Sequence, residues 1–232
     1  MISVLIPTFN EEDVISWTIK CLLALDTQKF IKEIIVADGG STDATCAKAI
    51  GAGALVLKCP KKGRAAQMNF AAKNATQEIL YFIHADTQPP LGFTEDILRA
   101  VHSGFDAGSY RLKFDCDHWF LSLNAWFTRF NVDAVRFGDQ SLFVTKSAFE
   151  KSDGFLESLV VMEDQHIIKE LKKLVKFKLF DKAVVTSSRK YLENGVYKTQ
   201  AVFFLIFFMY KLGYSQKTLV KTYRGLLKQN KV

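Results

Sequence analysis

Cysteine is scarce and unpaired in this 232-residue chain: Cys21, Cys46, Cys59 and Cys116 are scattered, with no C-x-x-C pair. That excludes a zinc ribbon and a disulfide framework and is the usage of a chain kept reduced in a cytosol. Long hydrophobic runs are missing as well. The ten apolar or aromatic residues at 201–210 fall short of the roughly 20 that a membrane-spanning helix requires. The opening run Ile-Ser-Val-Leu-Ile-Pro (2–7) is too short for a secretory signal, has no basic leader, and reads as a buried strand. A Pro- or Ser-rich linker is absent, as is any internal repeat, so one domain is expected. The G-x-G-x-x-G fingerprint is also missing: Gly51-Ala52-Gly53 precedes a strand and has no third glycine. A nicotinamide-binding Rossmann enzyme is thereby excluded.

What is present suits a globular core: 49% hydrophobic and 24% charged residues. Twenty Phe crowd toward the C-terminal half, and the net charge is +7. A basic balance suits nucleic acid, an anionic membrane surface or an anionic small substrate. Much of the excess lies in the last third.

Apolar runs at 3–6, 33–37, 55–57 and 79–83 predict strands. Helical patterns follow the first three, at 12–25, 43–49 and 65–75. Continuous β-branched runs separated by helices predict a parallel sheet covered on both faces. The second half is less regular, with strands expected at 107–114, 142–145, 176–180 and 184–187 and helices at 119–130 and 162–174. Residues 201–214 predict either a buried C-terminal helix or one lying in a membrane interface between flanking lysines.

In such sheets ligands bind beyond the carboxyl ends of the strands. The polar residues there are Pro7-Thr8-Phe9-Asn10-Glu11-Glu12, then Asp38-Gly39-Gly40-Ser41-Thr42-Asp43, then Lys61-Lys62-Gly63-Arg64 with Gln67 and Asn69, then His84-Ala85-Asp86-Thr87. Gly39 and Gly40 permit close backbone approach, and Asp38 offers acceptors to a base or ribose. Ser41 or Thr42 is expected to cap the next helix. Arg64 presents a planar fork suited to a diphosphate, and Asp86 offers hard oxygens to Mg²⁺ or Mn²⁺. Taken singly, Asn-Glu-Glu reads as a helix start and Asp-Gly-Gly-Ser as a turn; four such sets at four strand ends read as a site.

These motifs resemble the inverting family 2 glycosyltransferases of GT-A fold. The match runs through 7–12, 36–43, Gly63-Arg64, Ala85-Asp86, Gly138-Asp139-Gln140 and Glu163-Asp164. The resemblance implies an α/β GT-A-like fold with a mainly parallel central sheet and C-terminal helices. It divides the chain into a nucleotide-binding half (1–110), an acceptor and catalytic half (111–190) and a helical extension (191–232). It implies that Pro7, Thr8, Asn10, Glu11, Asp38, Gly63, Arg64 and Asp86 hold the nucleotide, Asp86 and His84 a divalent metal, and that Asp164 is the base. The stretches 63–69, 84–87 and 187–191 resemble a narrower subgroup predicted to act in arsenosugar- or selenosugar-type biosynthesis. The implied partners are a nucleotide-diphosphate sugar, UDP-based by resemblance, and a small-molecule or lipid acceptor. A cytoplasmic location is expected, with the interface alternative for 201–214 placing the chain at the inner membrane surface.

One departure stands out: the family's metal motif is usually Asp-x-Asp, and His84 occupies its first position. An imidazole can ligate a metal, contact the sugar or act from behind, but it removes a negative charge. The literal Asp115-Cys116-Asp117 follows a second-half strand and reads as a solvated loop. In an inverting transfer a base takes the acceptor's proton and the leaving diphosphate needs cationic stabilisation. Asp164, beside Glu163 at a helix start, suits the base, and Asp139 is a second carboxylate near the acceptor. Arg189 and Lys190 either reach the phosphates or form a solvated loop. Two readings compete. A sugar nucleotidyltransferase would carry a basic Gly-rich loop after the first strand, where this chain has Asn10-Glu11-Glu12. A basic nucleic-acid- or membrane-binding protein accounts for the charge but not for the acids at the strand ends.

Overall fold

The computed structural model describes residues 1–130, 132 and 140–228. Its strands are β1 (Ile2–Thr8), β2 (Ile31–Asp38), β3 (Leu55–Lys58), β4 (Ile79–Phe82), β5 (Thr87–Gln88), β6 (Ala107–Phe114), β7 (Leu142–Thr145) and β8 (Phe177–Thr186). They form one sheet in the order β3-β2-β1-β4-β7-β6-β8-β5. The first four are parallel. Past β4 the sheet becomes mixed, because β7 runs antiparallel to both β4 and β6 while β6 and β8 are parallel.

Alternation along the strands sends side chains to both faces. From β1, Ile2, Val4 and Ile6 pack on one face against Ile15, Ile19 and Leu22 of α1 (Ile15–Leu25) and Phe93 and Ile97 of α4 (Phe93–His102). Leu5 packs on the other face with Ala65, Met68 and Ala72 of α3 (Arg64–Asn74) and Ile167, Ile168 and Leu171 of α7 (Glu163–Leu174). Burial on both faces explains why these strands read as unbroken apolar runs. A third, smaller cluster joins α9 (Val196–Lys211) to α10 (Gln216–Leu226) through Val202, Ile206, Leu219 and Tyr223.

Two expectations change in the second half. The strands expected at 176–180 and 184–187 are one, β8: its exposed Asp181-Lys182 sit where the register with β6 shifts, so a bulge mimics a turn in the sequence. The helix expected at 119–130 ends early, as α5 (Trp119–Phe127). The Thr128 hydroxyl donates to Ala125 O at 2.6 Å and accepts the Leu112 amide at 3.0 Å, tying the chain back to β6.

α9 has one side buried and the other exposed. Val202 and Ile206 are buried, whereas Phe208 is 60% exposed and Leu212 just beyond it 76%. Among the described residues no helix is long and apolar enough to cross a membrane.

Candidate active site

The strand register places the site. Thr8 is level with Asp38 and Asp38 with Lys58, so β1, β2 and β3 end together. Since β2 and β4 lie on opposite sides of β1, loops leaving β1 and β4 border a crevice at the strand ends.

Gln67 closes the floor of this crevice. Its buried Nε2 donates to Thr8 O at 2.7 Å and Ala37 O at 2.8 Å, satisfying carbonyls at the ends of two strands. Gly39 follows from this contact: a Cβ there would lie 3.0–3.2 Å from the Gln67 amide. The Thr8 hydroxyl is buried without a hydrogen-bond partner, an uncommon state for a buried polar atom and one that suits a ligand.

Asp38 is 2% exposed and already engaged, accepting the Gly40 amide at 3.0 Å and the Ser41 amide at 3.1 Å. It shapes the loop that follows β2. The expected cap at Ser41 or Thr42 is not made. Ser41 Oγ accepts the Asn10 amide and the Thr42 amide donates to Asn10 Oδ1, both at 2.9 Å. Asp43, just ahead of the next helix, α2 (Thr45–Gly51), accepts the Thr45 amide at 3.0 Å. Asn10, at φ 53°, thus locks the β1 loop to the β2 loop, and the Glu11 amide donates to Thr45 Oγ1 at 2.8 Å. Pro7 lies within β1.

Gly63, at φ 117°, turns the chain into α3, whose first residue is Arg64. Arg64 Nη1 lies 3.2 Å from Glu163 Oε1 and 3.4 Å from Asp164 Oδ2. It joins residues 99 and 100 positions away, so donor-side and catalytic candidates meet in one cluster. Glu163 is 2% exposed, and burial first, then the Asp164 charge, pushes its carboxyl up to about 7 against the opposing pull of Arg64. Asp164 is more open and faces the same guanidinium.

His84 and Asp86 follow β4, both half-buried. Asp86 makes no hydrogen bond or ion pair among the described residues, which leaves its oxygens available to a hard cation. Among the described residues no three His, Cys, Asp or Glu side chains gather into a metal-binding group. Asp86 and His84 are the side chains at this strand end whose donors a divalent cation could use.

Arg189 opens α8 (Arg189–Asn194) and pairs with Glu11 at 3.5 Å, bringing the second half onto the β1 loop. Asp115 and Asp117 are exposed, and Asp115 Oδ1 accepts the Ser188 amide at 2.8 Å; this Asp-x-Asp shapes the approach to α8. Asp139 lies outside the described residues.

Beyond the acid cluster opens a pocket of about 160 Å³ shared by Arg64, Glu163, Asp164 and Lys190. Its remaining walls include Gln165, Gln200 and Tyr223, which the sequence reading missed. Gln165 adjoins the acid pair, a signal within reach; Gln200 and Tyr223 arrive from α9 and α10 through packing alone.

Against this geometry, the sequence profile of glycosyl transferase family 2 matches residues 3–145. The chain belongs to that family. This glycosyltransferase has a GT-A-like fold, and solved structures share it at low identity. Residues 1–349 of S. aureus TarS superpose with a TM-score of 0.64 at 16% identity, over 96% of this chain and 69% of that one. The mannosyltransferase PcManGT from Pyrobaculum calidifontis, in complex with GDP-Man and Mn²⁺, gives 0.70 at 17%, over 88% and 61%. Glucosyl-3-phosphoglycerate synthase from Mycobacterium tuberculosis, with Mg²⁺ and UDP, gives 0.61 at 17%, over 92% and 80%. The glycosyltransferase thus spans between three fifths and four fifths of these three solved chains, and 42% of a longer solved TarS chain. No curated protein matches it in sequence.

Proposed function

We propose that the chain is an inverting glycosyltransferase that takes a hexose from a nucleoside-diphosphate donor, a UDP-sugar, with Asp164 as the base. The observation that carries this reading is the Arg64 cluster: a guanidinium at the head of α3, beside the nucleotide loops, lies within 3.4 Å of both acids that open α7. A transfer site needs a cation for the leaving diphosphate next to a base for the acceptor, and here one side chain spans both requirements.

On this reading the Asn10 and Asp38 loops, with the buried Thr8 hydroxyl, seat the nucleoside. Asp164 accepts the acceptor's proton as its oxygen bonds to the anomeric carbon and the bond to the diphosphate breaks on the opposite face. Arg64 moves toward the diphosphate as charge develops there. Asp86 and His84 would hold a divalent cation, which would supply positive charge against the leaving diphosphate. PcManGT and the M. tuberculosis synthase, solved with Mn²⁺ and Mg²⁺, support the use of a divalent cation.

The narrower resemblance to arsenosugar- or selenosugar-type enzymes draws support from where its stretches fall. Residues 63–69 supply Arg64 and Gln67, residues 84–87 supply His84 and Asp86, and residues 187–191 supply Arg189 and Lys190. The exposed aromatic face of α9 among lysines supports work at an anionic membrane surface.

Thermal denaturation with UDP, GDP or CMP, with and without Mn²⁺, tests the donor assignment. UDP at a hundredfold excess over its Kd is expected to stabilise the protein by about 2.7 kcal/mol. Asp86→Ala should remove the metal-dependent part and Asp164→Ala should retain it. Failure of all three nucleotides to raise the melting temperature sinks the transferase site.

A further inference from the structure

The pocket beyond the acid cluster has two chemically distinct parts. One is the mutually bonded set of Arg64, Glu163 and Asp164. The other is mainly aromatic and aliphatic, its polar members Lys190 and Gln200 bonded to the Tyr223 and Tyr191 hydroxyls. Phe114 packs edge-on against Tyr191 at 5.2 Å between ring centres, Tyr191 meets Phe203 at 5.7 Å, and Phe203 meets Tyr223 at 6.1 Å. Ile206 of α9 and Val160 complete this part of the wall. A saccharide pressed flat against these rings would bury hydroxyls away from partners, at a cost of about 1–3 kcal/mol each. An alkyl chain or ring gains by the same burial.

One polar side chain in the lining is left unmatched. Gln165 follows the acid pair directly and is 8% exposed, yet its Nε2 has no hydrogen-bond partner. An amide donor buried in that state calls for an oxygen from a ligand. It sits one residue from the carboxylate assigned to take the acceptor's proton.

Resting on the transferase reading, we propose that the acceptor is a hydroxyl-bearing amphiphile. Its short apolar body lies between Phe114, Phe203 and Ile206, and its polar head presents the hydroxyl to Asp164 while an adjoining oxygen accepts from Gln165 Nε2. Gln165 is then a positioning residue for the acceptor. The space, about 160 Å³, holds about five groups of water size at ~30 Å³ each, which fits a short alkyl segment or a single ring.

The test uses 1-O-hexylglycerol against glycerol as probes of the full chain, read by saturation-transfer NMR. Saturation is expected on the hexyl methylenes, with glycerol giving at most a tenth of that signal. Val160→Trp, at a rim position that is 47% exposed, and Ile206→Trp should each reduce the hexyl signal at least fivefold. Gln165→Leu should weaken saturation of the glycerol protons more than that of the hexyl chain, a split that general loss of structure does not produce. Repeating the titration with phosphatidylglycerol vesicles separates the sources. Binding from free solution assigns a dissolved amphiphile; binding only on vesicles, still lost in Val160→Trp, assigns a membrane lipid. Equal signals from glycerol and hexylglycerol, or an unchanged signal in both tryptophan variants, overturn the proposal. UDP stabilisation, measured on the same samples, reports separately on the transferase reading and shows that each variant is folded.

Discussion

Glu163 is held where a carboxylate is uncomfortable. Its folded pKa of about 7 stands above the ordinary 4.5 because burial and the adjacent Asp164 both disfavour its charge. The native state therefore keeps a proton that the unfolded chain releases. The stability gained is complete below about pH 4.5 and disappears as pH rises through about 7, at up to about 1.4 kcal/mol per pH unit. Glu163→Gln fixes the neutral form, so its melting temperature should match wild type near pH 5 and exceed it near pH 8. A difference between the two proteins that does not change with pH refutes the assignment. Gln67 works through geometry instead. Replaced by leucine, it strips a donor from the Thr8 and Ala37 carbonyls, and a loss of about 2 kcal/mol is expected in urea unfolding. A shift within experimental error would show that water serves those carbonyls equally well.

Among the strands, β6 is the most tightly constrained at Gly108, level with Phe143 of β7 and Lys178 of β8. A Cβ there would overlap the Lys178 carbonyl oxygen and the Phe143 ring and sit 2.9 Å from Lys178 Cβ. Both neighbours are strands of the same sheet, so neither yields cheaply. Gly108→Ala is expected to cost about 3 kcal/mol, read as a lowered urea midpoint; a midpoint within a few tenths molar of wild type would mean the sheet opens there. The parallel half of the fold was legible because β1, β2 and β4 are buried on both faces and announce themselves as apolar runs. β5 was not, since two residues carry no period. α4 went unassigned although Phe93, Ile97 and Ala100 recur at helical spacing. The strand-end residues of the candidate site could be named from the sequence because loop chemistry is local. Gln200 and Tyr223 were not, because their place in the pocket depends on how α9 and α10 dock more than a hundred residues after Arg64.

At the scale of the molecule, charge and apolar surface coincide. Residues 189–228 hold eight basic side chains against the single acid Glu193, so this segment carries the chain's whole net charge of +7 and the remainder is balanced. The same segment exposes Leu205 and Phe208 on the outer side of α9. Flotation with phosphatidylglycerol vesicles at low salt should carry the protein, with the bound fraction falling as salt rises. Leu205→Ser with Phe208→Ser should cut it severalfold. Equal flotation with neutral vesicles, or none with either, removes the membrane assignment. A body neutral at one end and cationic at the other is also an electric dipole, so a charged sheet exerts a torque on it before any contact forms. On the proposed membrane docking, that torque would act within about 8 Å of an anionic surface at physiological salt and would turn α9 to the lipid. Because Ile206 and Phe203 on the inner side of the same helix line the pocket, landing would also aim the proposed acceptor site.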